Sequence, residues 1–201
     1  SYGLDYAERL LNAERPDDAI DVLKQVIGQD NTSKVAYRQL AKAYDRSEMF
    51  QQASESYEEL FKLDPRDFRV AIQVSEVNIA GDNFGKAIRW AEKAVTSSKS
   101  GDAYAQRGNV YYKSFQECRS ADISIDDRIV ASLAYESFTV AEENDYRRFH
   151  NSLVWLEENE VLFGRSHWFM LDANKKKQGY VKPDSECYKW VEKKLEKDPN
   201  W

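Results

Sequence analysis

The sequence predicts an all-α fold, a right-handed stack of antiparallel helix pairs. Three observations predict it. Ala19, Ala53 and Ala87 recur 34 residues apart, a period that marks helix-turn-helix repeat arrays. Around each alanine the apolar residues fall at helical spacing, most clearly Tyr37, Leu40, Ala41 and Tyr44 at i, i+3, i+4 and i+7, so they share one helix face. Pro16, Pro65 and the Gly81-Asp82-Asn83 turn punctuate the chain between these stretches, where a helix has to stop or restart.

The first helix pair carries Tyr6, Ala7 and Leu10, then Ala19 and Leu23. Pro16, Asp17 and Asp18 lie between the two groups and suit the first turn of a helix. The second pair carries Tyr37, Leu40, Ala41 and Tyr44, then Ala53 and Tyr57, and closes at Pro65. Small Ala41 and Ala53 let the two helices approach until ridges enter grooves. The third pair carries Val74 and Ser75, then Ala87 and Ala94. A fourth begins near Gly101 with Tyr104, Gly108 and Tyr111. Its second helix offers Ala134, Phe138 and Ala141, some 14 residues later than the period requires. An insertion near 115–126 absorbs the difference. It is expected to protrude as a loop, with Asp126 or Asp127 capping the next helix.

These residues resemble the tetratricopeptide repeat (TPR) family, whose pattern sets an aromatic, Leu, a small residue and Tyr on the first helix, and Ala, an aromatic and Pro on the second. The resemblance covers residues 1–143, about four repeats. It departs at Asn78, where the pattern has Tyr, and at Ala91, where it has an aromatic that Trp90 is placed to replace. The family implies a TPR-like right-handed superhelical array with a concave groove lined by positions 2, 5, 9 and 12 of each repeat. Those positions hold Val35, Arg38, Lys42 and Asp45, then Arg69, Ile72, Glu76 and Ile79, then Asp102, Ala105, Asn109 and Tyr112. Arg38, Lys42, Arg69, Ile72, Glu76, Asn109 and Tyr112 are the expected peptide-binding residues. Charge on such a groove steers encounter, and apolar contacts hold the partner. The Lys and Asn pattern by which some family members clamp the acidic terminus of chaperones is absent.

Residues 144–201 lose the repeat phase and read as a helical C-terminal extension or cap, with degenerate repeats as the alternative, Cys187 then standing where the packing alanine would be. Tyr146, Phe149, Leu153 and Leu156 suggest one amphipathic helix, ended by Gly164. An aromatic cluster follows at Trp168 and Phe169, then a lysine-rich stretch at 175–177. A last helix is expected after Pro183, carrying Cys187, Tyr188, Trp190, Val191 and Leu195. The aromatic residues there serve as a cap on the array, which needs an apolar inner and a polar outer face.

The formal net charge is −6, which argues against nucleic acid as the main partner, since neutralising phosphates needs a basic surface. No apolar run is long enough to span a bilayer. Cys118 and Cys187 form no CxxC and are read as separate thiols; a disulfide becomes open to them if the chain is exported. The chain opens on Ser1, which fits a removed signal peptide, a lost upstream domain or a trimmed end. The expectation is therefore a soluble protein, cytoplasmic or exported. His150 and His167 stand in no metal-ligand spacing, and no nucleotide-binding or nucleophile motif occurs. No cofactor, metal or catalytic residue is expected. The function expected is a non-catalytic scaffold for a protein or peptide partner, monomeric or weakly self-associating. A self-assembly segment of a larger TPR protein, or an enzyme with a pocket at the insertion and aromatic tail, are the alternatives.

Overall fold

The computed structural model describes residues 2–119 and 121–201. It divides into two compact units, residues 1–98 and 99–201.

The first unit holds three helix pairs: α1 (Tyr2–Asn12) with α2 (Pro16–Gln29), α3 (Lys34–Arg46) with α4 (Phe50–Leu63), and α5 (Phe68–Ala80) with α6 (Phe84–Ser98). Each pair also packs on the next, α2 on α3 and α4 on α5. The recurring alanines do what their size allows. Ala7, Ala19, Ala41, Ala53 and Ala87 are fully buried at the crossings, and Leu10, Leu23, Tyr44, Tyr57, Leu60 and Val74 fill the space beside them. Ser33 caps α3 by accepting the Ala36 N–H, and Asp67 caps α5 by accepting the Arg69 N–H. Both satisfy donors that a helix start leaves without an internal partner.

The period also governs the turns. Glu14, Glu48 and Asp82 have φ of 55°, 56° and 55°, and they stand 34 residues apart. After each, a backbone N–H reaches five residues back: Arg15 to Leu10, Met49 to Tyr44 and Asn83 to Asn78. This is the C-terminal motif in which one left-handed residue lets the helix's orphan carbonyls be used.

Asn78 replaces the expected Tyr without leaving an unmet polar group. Its amide donates to Ser54 Oγ at 2.8 Å and to the Val74 carbonyl at 2.7 Å. Ser54 in turn donates to Glu58, which pairs with Lys86. Ala91 is fully buried, while Trp90 packs edge-on against Phe61 of α4.

The second unit opens with α7 (Gly101–Cys118) and α8 (Ile125–Glu143). They cross where the sequence places small residues. A Cβ on Gly108 would lie 2.6 Å from the Phe138 ring and 3.2 Å from the Ala134 carbonyl, so only glycine permits this approach. The late Ala134 is therefore the packing alanine. The expected protruding loop is shorter than 115–126. Residues 115–118 continue α7, and Phe115 is fully buried. Ser120, inside that segment, lies outside the described residues. The cap of α8 is Ser124, not Asp126 or Asp127. Asp127 completes the capping box by accepting the Ser124 N–H.

The C-terminal part follows as α9 (His150–Glu158), α10 (Arg165–Met170) and α11 (Ala173–Gln178). The lysine-rich stretch is α11, capped by Asp172 and closed by Gly179 at φ 74°. The expected helix after Pro183 does not form. A 3₁₀ turn covers Glu186–Tyr188, and the two-residue strand β2 (Leu195–Glu196) pairs antiparallel with β1 (Tyr180–Val181). Helical spacing misled here because the apolar side chains are buried by tertiary packing and not along one helix face. Tyr188, Val191 and Leu195 are buried, while Trp190 stacks on Tyr111 at 5.9 Å.

The reading of two separate thiols is also corrected. Cys118 and Cys187 form a disulfide, with Cα atoms 6.1 Å apart. The chain after Pro183 returns to the end of α7, a proximity that the linear spacing of the cysteines does not reveal. Trp201 closes the tail against Phe163 and Trp168.

Candidate functional site

The spacing that gives α3 an apolar inner face also gives it an outer stripe of Val35, Arg38, Lys42 and Asp45. On α5 the same logic gives Arg69, Ile72, Glu76 and Ile79. Val35, Lys42 and Arg69 are exposed; Arg38, Ile72 and Glu76 are half-buried.

Arg38 is not a loose surface charge. Its Nη1 donates to Gln73 Oε1 at 2.9 Å and its Nη2 to Asp67 Oδ2 at 3.2 Å, so one α3 side chain ties two points on and beside α5. Asp67 thus serves both as the cap of α5 and as a counter-ion. Arg69 rests its guanidinium 5.7 Å from the neighbouring Phe68 ring.

The Tyr57 phenol of α4 feels the charges on α3 and α5. Its pKa is pushed up to about 12, first by burial, then by the negative fields of Asp45 and Glu76, with Arg38 opposing. Three charged residues from α3 and α5 therefore act on one phenol of α4. The Asp45 carboxyl is itself raised by partial burial, since removing water disfavours the charged form. Tyr57, Asp67 and Gln73 were not among the expected site residues. Tyr57 reads in sequence as core filler, and only its place just before α5 hints at Asp67.

Asn109 and Tyr112 belong to the second unit. Asn109 is half-buried, and its Oδ1 is a buried acceptor without a hydrogen bond. Tyr112 is half-buried with edge-on contacts to Phe138 at 6.0 Å and Trp155 at 6.4 Å. Ala105, expected on the groove, is buried at 1% exposure. The structure thus ties Arg38 to Gln73 and Asp67 in the first unit. In the second it draws Tyr112 into an aromatic cluster.

A cavity of about 570 Å³ lies beside the link from α7 to α8, lined by Gln116, Arg119, Ala121, Ile123, Trp155, Asn159 and Val161. The Arg119 guanidinium lies 5.3 Å from the Phe115 ring and 5.1 Å from the Trp155 ring. Its described lining offers a cation and amides but no carboxylate, imidazole or thiol to move a proton. Among the described residues no group of three or more His, Cys, Asp or Glu is placed to hold a metal ion. His150 pairs with Glu142 at 2.8 Å, and His167 accepts the Gly164 N–H at 2.9 Å. No helix of the described residues is long and apolar enough to cross a membrane.

Residues 10–72 match the family model described as tetratricopeptide repeat. No curated protein matches the chain. Solved structures do. MamA (residue 41 to its end) from Desulfovibrio magneticus RS-1 is 17% identical, with a TM-score of 0.61 over 79% of this chain and 84% of that one. YrrB, described as a TPR protein with an unusual peptide-binding site, is 16% identical, with a TM-score of 0.51 over 71% and 67%. TTC0263, a TPR protein of Thermus thermophilus, is 14% identical, with a TM-score of 0.53 over 78% of each chain. Identities this low speak for the fold alone, and the fold is the one the helix pairs and the match over 10–72 already describe. Residues 10–72 are thus tetratricopeptide repeat sequence, and the chain has the fold of these TPR proteins.

Proposed function

We propose that this chain is a non-catalytic scaffold that binds a protein or peptide through the α3–α5 face of its first unit. The observation that carries the reading is Arg38 of α3, whose guanidinium donates to Gln73 at 2.9 Å and to Asp67 at 3.2 Å and so joins α3 to α5 across this face. A half-buried, mixed-charge, partly apolar surface suits an extended segment more than a rigid small molecule. Exposed Lys42 and Arg69 beside Ile72 and Ile79 favour a segment with an acidic and an apolar residue. Arg38, already held by Asp67 and Gln73, orients the face more than it supplies charge. YrrB's peptide-binding site supports the same use here by analogy of fold. Asn109 and Tyr112 form a second, separate candidate surface. On this reading α1–α8 are four repeats, with 144–201 as their C-terminal extension. The disulfide favours an oxidising compartment.

The test is a peptide array of acidic–apolar decamers probed with the purified chain, followed by calorimetry on the best binder. Lys42→Glu with Arg69→Glu should weaken binding at least tenfold and flatten its salt dependence. Equal affinity for wild type and variant would move the site off this face.

A second reading rests on α1. Tyr2 is 85% exposed and Tyr6 44%, and their rings stack 6.3 Å apart. Such exposed aromatic area suits self-association. Light scattering across concentrations, on wild type and Tyr2→Ser/Tyr6→Ser, separates the readings: only self-assembly responds to the double variant.

A further inference from the structure

Residues 184–196 have almost no local structure to hold them. Their backbone makes one 3₁₀ turn and two ladder positions, yet Tyr188, Val191 and Leu195 are buried. Beyond the β1 pairing and the exposed ion pairs Lys182–Glu192 and Lys175–Asp184, what fixes them comes from α7 and α8. Asp126 Oδ2 accepts the N–H groups of Asp184 at 3.1 Å and Ser185 at 2.8 Å. Asp127 Oδ1 accepts the Tyr188 hydroxyl at 2.6 Å. The Trp190 ring lies on Tyr111 with planes 15° apart. Lys193 reaches Glu136 at 3.8 Å. Between these polar and aromatic ties sits a covalent one, Cys187 to Cys118, the last residue of α7. Cys187 is exposed and Cys118 half-buried.

We infer that residues 184–196 are a thiol-controlled strap over the α7–α8 pair, closed while Cys118 and Cys187 are joined and released by a dithiol reductant. A reductant thiolate attacks the exposed Cys187 sulfur. The Cys118–Cys187 bond breaks, and Cys118 leaves as a thiolate that takes a proton from water. The second reductant thiol, as its thiolate, then displaces Cys187, so the reductant departs as its own disulfide and the chain gains two electrons and two protons. Release uncovers the Tyr111 ring and one oxygen of Asp127. The α8 start survives, because Asp127 Oδ2 keeps its bonds from the Ser124 N–H and hydroxyl. Segments held by few internal hydrogen bonds, here three between 185 and 191, open first when a tether is lost.

The test is amide exchange read by mass spectrometry on the full chain, oxidised against reduced and alkylated. Strap peptides covering 186–196 should exchange at least tenfold faster after reduction, while peptides from α1–α6 and the α8 interior stay within twofold. Tyr188→Phe in the oxidised chain should raise strap exchange less than reduction does. Cys118→Ser/Cys187→Ser should reproduce the reduced pattern without alkylation. Unchanged strap protection after reduction overturns the inference. So does a uniform rise across 99–201, which would make the disulfide a staple of the whole unit.

Discussion

The Tyr188 hydroxyl donates a 2.6 Å hydrogen bond to Oδ1 of Asp127, a carboxylate only 4% exposed at the third residue of α8. One side chain thus completes the cap of its own helix and receives a residue 61 positions later. Burial and the neighbouring carboxylates hold the Tyr188 phenol far above its ordinary range. Tyr188→Phe removes one acceptor's partner in a dry site. It should cost roughly 1–3 kcal/mol in urea denaturation. Ser124→Ala should cost roughly 0.5–2 kcal/mol. Because both act through Asp127, the double variant should depart from additivity by about 0.5 kcal/mol or more.

Two glycines in helices should respond with opposite signs. Gly108 faces the Phe138 ring, where an added Cβ would sit at 2.6 Å; nothing lies within 4 Å of that position on Gly28. Gly28→Ala, near the end of α2, should stabilise by about 0.5–1 kcal/mol, as removal of backbone freedom does. Gly108→Ala should destabilise by about 1–3 kcal/mol through overpacking, and Phe138→Leu in the same chain should recover part of that loss. Thermal denaturation reads both.

What the sequence made legible was what repeats. Ala19, Ala53 and Ala87 set the phase, and even the displaced Ala134 is found against Gly108. What it hid depends on residues meeting across long separations. Nothing local to Cys187, Tyr188 or Trp190 names Cys118, Asp127 or Tyr111, so an apolar spacing there read as a helix. The same limit applies at the candidate site. Arg38 and Glu76 are legible as surface positions, but Gln73 and Asp67 as the groups that hold Arg38 follow only from how α3 meets α5.

The turn residues carry a test of the period itself. Glu48 sits at φ 56°, a region that costs a side chain roughly 1–2 kcal/mol. Glu48→Gly should hold or raise the melting temperature. Glu48→Val should lower stability by about 1–2 kcal/mol, since branching at Cβ worsens the clash. The same pair of changes at Asp82, also at φ 55°, should give the same order. A valine tolerated at both sites would contradict the turn geometry.

The last prediction concerns pH. Partial burial raises the Asp45 carboxyl above its ordinary value. Between the unfolded and the folded pKa the native chain holds more protons than the unfolded one, so stability falls as pH rises through that window. Above it the carboxylate keeps the whole of that modest desolvation penalty. Asp45→Asn removes the charge and keeps the shape. The variant should therefore be more stable than wild type at pH 7, and the advantage should shrink as pH falls through that window. It also removes one of the two negative fields on Tyr57, so the Tyr57 phenol should ionise at lower pH in the variant, seen in the ultraviolet titration as an earlier phenolate step. Lys42 and Arg69 would meet an acidic peptide with one less competing carboxylate. Tighter binding of such a peptide by Asp45→Asn, at a stability no lower than wild type at pH 7, is the expected result. Weaker binding would mean that Asp45 itself contacts the partner and that the segment carries a basic residue instead.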